Sequence, residues 1–123
     1  MLSSAENVIT SLNRLRVMPI FYESQIYTEI ERVFKESGIL YEREVKIGSR
    51  MRIDFLCGNI GVEVKKGKPN RRKVEKQVTR YCKSDRINSL VLVVERSLFS
   101  HLNESNGKKV YYVALNKLWG LSV

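Results

Sequence analysis

The run of residues 89–94, SLVLVV, constrains the fold of this chain more than any other stretch. A short, continuous apolar run is typical of a strand that is buried on both faces, as in a parallel sheet. A helical pattern lies between this run and the strands predicted before it, and a helix that joins parallel strands forms a crossover connection. The sequence therefore predicts an α/β fold with a mixed central β-sheet flanked by helices.

Three further strands are predicted upstream, over residues 40–47, 51–57 and 60–66. Short segments that contain glycine separate them, and the Gly58-Asn59 dipeptide is a hairpin signal. Because the segments follow one another closely, they should form an antiparallel meander. Alternation along the first strand predicts that four residues share one face: Tyr41, Arg43, Val45 and Ile47.

The spacing of apolar residues also predicts three helices, over residues 4–16, about 21–37 and about 71–83. Gly38 suits the end of the second helix, and Asn70 suits the N-cap of the third. Beyond the buried strand we expect a short helix (97–102), a polar loop (103–109) and a last strand (110–115). At 123 residues the chain fits one domain, with an N-terminal helical extension (1–20), a core (21–95) and a C-terminal helix and strand (96–123).

Positive charge dominates the composition. The chain has 22 Lys and Arg residues against 13 Asp and Glu, a formal net charge of +9. Such an excess favours a polyanionic partner, and DNA is the first candidate. The third predicted helix carries a dense group of these charges, and we expect five of its residues to contact nucleic acid: Arg71, Arg72, Lys73, Lys76 and Arg80.

Other partners and compartments find less support in the sequence. No apolar run approaches the ~20 residues that span a bilayer, and the N-terminus lacks the pattern of a secretory signal. We therefore expect no membrane partner and an intracellular, cytoplasmic location. The two cysteines, Cys57 and Cys82, lack metal-finger spacing and fit a reducing compartment as structural thiols.

The candidate chemistry lies in residues 51–66, MRIDFLCGNIGVEVKK. Glu63 and Lys65 share one face of a strand, and the predicted turn folds the Asp54 strand back alongside them. Mg²⁺ or Mn²⁺ takes oxygen ligands, which Asp54, Glu63 and the Val64 carbonyl can supply. The pattern predicts metal-dependent hydrolysis of a phosphodiester, in which Lys65 positions the attacking water or stabilises charge on phosphorus.

A third acid is expected from the second helix. In a helical projection, Glu23 falls in the middle of the apolar stripe, and an acid that faces a core is costly unless it is paired or binds a metal. Glu23 is therefore the first candidate, and Glu29, at the margin of the stripe, is the second. The alternative interpretation is that Glu23 only favours the positive end of the helix dipole.

Chance also produces such a pattern. A Glu-x-Lys motif on a short strand is more often a surface ladder of opposite charges. The context favours a site here, because Asp54 lies in an apolar strand, the motif lies between valines, and a helix with an inward acid precedes both.

Taken together, these residues resemble the PD-(D/E)xK superfamily of nucleases, which share a restriction-endonuclease-like fold. The resemblance covers about residues 21–95. It implies Mg²⁺- or Mn²⁺-dependent cleavage of DNA, with Asp54 and Glu63 as metal ligands and Lys65 as the catalytic lysine. Glu23 carries over as a further ligand by its helix position alone. The sequence departs from the pattern at Ile53, where the name of the superfamily implies proline.

Residues 77–81, QVTRY, are similar to the QxxxY motif of RecB-type nucleases. Residues four apart lie on one side of a helix, so Gln77 and Tyr81 would both face the site and hydrogen-bond a phosphate, a metal-bound water or a carboxylate. The alternative is that Tyr81 is a core residue and Gln77 a surface residue. Some relatives hold an iron–sulfur cluster on four cysteines, and the two cysteines here imply that this cofactor is absent.

Two other functions stay open at this level. Small members of the superfamily include Holliday-junction resolvases, and similarity to them would imply a homodimer that cuts branched DNA. The second alternative is a non-catalytic nucleic-acid-binding module on the same scaffold, with binding indifferent to metal. The joint presence of five candidate catalytic residues favours an enzyme: Asp54, Glu63, Lys65, Gln77 and Tyr81.

Overall fold

The computed structural model describes residues 4–15, 23–67, 70–95 and 102–115, apart from the side chain of Glu23. Within these ranges it has three helices, α1 (Ala5–Leu12), α2 (Glu23–Glu36) and α3 (Arg71–Tyr81). The side chains of Ser4 and Asn70 cap α1 and α3, each accepting a hydrogen bond of 3.1 Å from the backbone N–H three residues on. The three predicted helices of this part of the chain and the Asn70 cap are therefore confirmed.

The described residues form one mixed sheet of six strands, in the order β1-β2-β3-β4-β6-β5. The strands are β1 (Glu42–Gly48), β2 (Met51–Cys57), β3 (Ile60–Lys65), β4 (Ser89–Val94), β5 (Glu104–Ser105) and β6 (Lys108–Ala114). The first three form the predicted antiparallel meander. Strand β4 is buried along its whole length and runs parallel to both neighbours, β3 and β6, as its apolar run predicts.

Two hydrophobic layers pack against the sheet. Helices α1 and α2 cover one face, where Phe34 lies with Phe55 and Val62 in a buried cluster. Helix α3 covers the opposite face, where Val78 lies in a second cluster with Leu90. These two surfaces are called the α2 face and the α3 face below. None of the helices in the described ranges is long and apolar enough to cross a membrane.

The predicted polar loop over residues 103–109 is wrong. The chain forms a short hairpin there, with β5 paired to the start of β6 across Asn106 and Gly107. Both turn residues have a left-handed backbone, with φ of 53° and 76°, the conformation that an Asn-Gly hairpin turn requires. The polar composition hid this signal. Residues 97–101 of the predicted short helix and residues 116–123 lie outside the described residues.

The predicted face of β1 is also wrong. Tyr41, just before the strand, and Arg43 lie on the α2 face, and Arg43 packs over the ring of Phe55 at 4.8 Å. Val45 and Ile47 lie on the α3 face. A regular strand keeps residues two apart on one face, so the alternation is interrupted between Arg43 and Val45.

Candidate active site

The candidate site lies where β2 and β3 stop pairing through their backbones. Their ladder runs from Cys57 and Ile60 to Phe55 and Val62. At the next position, carboxylate side chains accept the backbone N–H groups in place of backbone carbonyls. The backbone N–H of Asp54 donates to Oε1 of Glu63 at 3.1 Å, and the N–H of Val64 donates to Oδ2 of Asp54 at 2.8 Å.

These two hydrogen bonds fix both carboxylates between the strands. Each acid is held by a backbone group of the opposite strand, so neither can rotate away without leaving an N–H without a partner. Asp54 is half-buried and Glu63 is 7% exposed. The predicted hairpin therefore does bring Asp54 and Glu63 together, through contacts that the alternation pattern does not reveal.

The Val64 carbonyl belongs to the same gap. In an extended strand, the N–H and C=O of one residue point towards the same neighbouring strand. The Val64 N–H bonds Asp54 on the β2 side, whereas the Lys65 carbonyl accepts from Glu95 at 3.2 Å on the β4 side. The Val64 carbonyl thus faces β2, on the same side as the two acids.

The charge on Glu63 is unfavourable in its surroundings. The pKa of Glu63 is raised from 4.5 to about 8, mainly by burial and then by the neighbouring Asp54 carboxylate, while the Lys65 ammonium opposes both effects. Lys65 Nζ lies 3.6 Å from Glu63 Oε2, with its side chain 22% exposed. Glu63 and Lys65 therefore share one face, as predicted, and two acids are crowded together with one amine beside them.

Helix α3 completes the arrangement from above the sheet. The Tyr81 hydroxyl lies 3.2 Å from Glu63 Oε2 and 3.2 Å from the Arg52 carbonyl, to either of which it can donate. Gln77 Nε2 donates to the Tyr81 oxygen at 2.7 Å and lies 3.4 Å from Glu63 Oε2. Burial and the Glu63 charge raise the pKa of Tyr81 to about 12, so its hydroxyl stays a donor at neutral pH. The expected orientation of Gln77 and Tyr81 is confirmed.

The described contacts do not place an acid from α2 beside Asp54 and Glu63. Glu23 is the first residue of α2, and its side chain lies outside the described parts. The Glu29 carboxylate accepts three hydrogen bonds from Arg32, at 2.9 to 3.2 Å. Among the described residues no group of three or more acidic, histidine or cysteine side chains could hold a metal ion. The described contacts therefore pair Glu29 with Arg32, and its role as a third acid stays a prediction.

The residues present nevertheless fit a hard divalent cation. Asp54, Glu63 and the Val64 carbonyl offer oxygen donors only, and Mg²⁺ is usually held by one or two carboxylates together with waters and substrate phosphates. Burial and the Asp54 carboxylate disfavour a charged Glu63, and a bound cation would favour the charge. The donor chemistry and the charge both match the predicted metal.

The basic surface lies on the outer side of α3, next to this site. All five predicted basic residues, Arg71, Arg72, Lys73, Lys76 and Arg80, are exposed. Lys73, Lys76 and Arg80 line a cleft of about 460 Å³ together with Gln77. Gln77 also approaches Glu63, so one residue links this cleft to the acid pair. Arg71 instead pairs with Glu75 at 3.3 Å.

The remaining candidate groups stay apart from these contacts. Cys57 and Cys82 are buried and free, in agreement with their structural interpretation. Burial raises the pKa of the Cys57 thiol to about 12, which keeps it protonated.

Comparisons of the chain with family models, with curated proteins and with solved structures gave no match. The geometry of the site is therefore the evidence from which a function is inferred.

Two features of the site have no signal in the sequence. The Arg52 carbonyl is a second possible acceptor for the Tyr81 hydroxyl, and the Arg50 carbonyl accepts from the Arg80 guanidinium at 3.0 Å. Both are main-chain groups, so residue type does not reveal them. They tie α3 to the β1–β2 hairpin and fix the height of Gln77 and Tyr81 above the acids.

Proposed function

We propose that this protein is a metal-dependent nuclease that hydrolyses DNA phosphodiester bonds, with a restriction-endonuclease-like core. One observation supports it most strongly. Glu63 accepts a hydrogen bond from the Asp54 N–H, and Asp54 accepts one from the Val64 N–H, so the two carboxylates lie side by side. Lys65 Nζ lies 3.6 Å from Glu63 Oε2. A buried Glu63 beside a second carboxylate is unfavourable for folding. A bound cation would offset this loss of folding free energy, because it favours the charged carboxylates.

Asp54, Glu63 and the Val64 carbonyl would hold Mg²⁺ or Mn²⁺. When bound, the cation supplies Lewis acidity towards the scissile phosphate and lowers the pKa of a water. The protein's own contribution is geometric, since both carboxylates are fixed before the substrate arrives. Preorganised charge of this kind needs no rearrangement during the reaction.

Lys65 has two roles open to it beside the acids. Its ammonium can hold a water by hydrogen bonding for attack on phosphorus, or stabilise the charge that grows on the phosphoryl oxygens. In either role the amine has to lie beside Glu63, which it does. Tyr81 and Gln77 would position Glu63 by donating towards Oε2.

The substrate backbone would enter over α3. Lys73, Lys76 and Arg80 line the cleft next to Gln77, and phosphates bound there would release counterions. The three cations lie on one exposed helix face, which leads a phosphate chain towards the carboxylates. This surface supports the proposal that DNA is the partner.

Cleavage of labelled DNA tests the proposal. Single-stranded, double-stranded, flapped and four-way-junction substrates are incubated with the protein and Mg²⁺ or Mn²⁺, and a chelator serves as the blank. We expect metal-dependent products from wild type and from Lys66→Ala, the exposed neighbouring lysine, but not from Lys65→Ala. Equal residual signal from wild type and Lys65→Ala would contradict cleavage. Salt-sensitive DNA binding that is indifferent to metal and to Asp54→Asn would identify a binding module instead.

A further inference from the structure

One residue of β1 has a backbone conformation that its position does not explain. Among the described residues, three that are not glycine have positive φ: Glu44 at 50°, Arg50 at 57° and Asn106 at 53°. Arg50 and Asn106 lie in the two-residue turns of hairpins, where this conformation is ordinary. Glu44 lies in the middle of a seven-residue strand. A left-handed conformation costs an L-residue roughly 1–2 kcal/mol, so something in the surrounding fold maintains it.

The position of Glu44 in the sheet is informative. In the antiparallel pairing of β1 with β2, Arg43 lies opposite Phe55 and Val45 lies opposite Ile53. Glu44 is therefore opposite Asp54. The one unexplained left-handed residue in the described strands faces the acid that receives the Val64 N–H.

Both strands change face at this pair. Before it, Arg43 and Phe55 lie on the α2 face, where the guanidinium covers the ring. After it, Val45 and Ile53 lie on the α3 face. Gly61 of β3 provides the room, because a Cβ at this position would lie 3.3 Å from the Ile53 side chain. The β1–β2 hairpin thus twists as a unit about the Glu44 and Asp54 positions.

The twist coincides with the divergence of β2 from β3. The β2–β3 ladder stops at Phe55 and Val62, one residue before Asp54, and the carboxylates of Asp54 and Glu63 occupy the gap. With regular alternation through Asp54, the strand would continue its ladder with β3 and close that gap. The left-handed residue on β1 allows the partner strand to turn instead.

We propose that Glu44 is a positioning residue, whose left-handed backbone turns Asp54 out of the ladder and into the gap beside Glu63. Its side chain is exposed, so the backbone conformation rather than the carboxylate performs this role. The meaning for catalysis rests on the proposed function, whereas the geometric role does not. Glycine adopts the same conformation freely, while a β-branched residue is a clear outlier there.

Three substitutions separate backbone from charge. Glu44→Gly permits the conformation, Glu44→Gln keeps the side-chain shape without charge, and Glu44→Val opposes the conformation. Glu42→Val is the matched control, because Glu42 is an exposed acid on the same strand and is not among the positive-φ residues. The first readout is the amide resonances of Asp54 and Val64 in metal-free protein, since both N–H groups donate to carboxylates. The second is Mn²⁺ affinity.

We expect Glu44→Gly and Glu44→Gln to keep both amide resonances and the Mn²⁺ affinity of wild type. Glu44→Val should shift both resonances and weaken Mn²⁺ binding about tenfold or more, whereas Glu42→Val should do neither. If Glu44→Val does not fold, Glu44→Thr, which is also β-branched but polar, is judged by the same criteria. Unchanged amide resonances in Glu44→Val, or equal losses in Glu44→Gly and Glu44→Val, would overturn the inference. Absence of Mn²⁺ binding by wild type would overturn the proposed function alone, because the amide resonances still decide the role of Glu44.

Discussion

Neutralising Glu63 should stabilise the metal-free protein. Its pKa is raised from 4.5 to about 8, mainly by burial and then by the Asp54 carboxylate. The folded protein therefore binds more protons than the unfolded chain between these values, and the free energy of unfolding falls as pH rises through this window. The stabilisation from a protonated Glu63 is complete below about pH 4.5 and is lost by about pH 8.

The shift gives an order of magnitude for this effect. At 1.36 kcal/mol per pKa unit, the free energy of unfolding that is lost between acidic pH and pH 7 is on the order of 3 kcal/mol, because the unfolded chain releases the Glu63 proton in this range and the folded protein keeps it. Glu63→Gln keeps an oxygen to accept from the Asp54 N–H and removes the charge, so it should recover most of this free energy. Urea unfolding of wild type and variant at several pH values measures it, with Glu42→Gln as the control for removal of an exposed charge from β1.

The expected result is a difference between Glu63→Gln and wild type that is small near pH 5 and grows to a few kcal/mol near pH 8. Saturating Mg²⁺ should stabilise wild type and leave the variant almost unchanged, because ligand binding stabilises only a folded state that binds it. A difference that is equal at both pH values would refute the crowding argument. A Mg²⁺ effect of equal size in both proteins would place the cation elsewhere.

Two further predictions concern the helix above the site. Tyr81→Phe removes a donor to Glu63, so we expect the free energy of unfolding in urea to fall by about 1–2 kcal/mol and cleavage to slow. Unchanged stability would mean that the hydroxyl is not needed. Lys76→Ala should reduce the slope of log K against log salt for duplex binding by about 0.9. Lys109→Ala, an exposed change on β6, should leave this slope unchanged. Equal slopes in wild type and both variants would argue against binding at the α3 cleft.

The part of this fold that could be predicted from sequence is the part that follows period and turn chemistry. The β4 run predicts its own burial and parallel pairing because buried parallel strands are apolar on both faces. Asn70 predicts the start of α3 because its side chain can accept an N–H of the first turn. The Asn-Gly dipeptide of the β5–β6 hairpin is a turn signal. The polar composition around it favoured a loop, and the loop was predicted instead.

The sequence predicted which side chains share a face, but not the contacts that hold them together. Glu63 and Lys65 share a face because strands alternate, and Gln77 and Tyr81 share a side because helices repeat every 3.6 residues. The hydrogen bonds from the Asp54 and Val64 N–H groups to the two carboxylates depend on where the β2–β3 ladder ends. The periodicity of the sequence does not show that position. Glu44 shows the same limit, since glutamate has no preference for a left-handed backbone, and the twist that it permits is decided by the packing of two layers.

The energetics of the acid pair bear on the choice between enzyme and binding module. A protein that only binds DNA gains nothing from a buried Glu63, whose raised pKa lowers folding stability at neutral pH. Positive charge on α3 would suffice for such a role. In this chain, two backbone N–H groups, the Tyr81 hydroxyl and the Lys65 ammonium all converge on the pair and hold it in place. Natural proteins depart from stable local arrangements mainly at functional sites, so this departure favours a site that uses its carboxylates chemically.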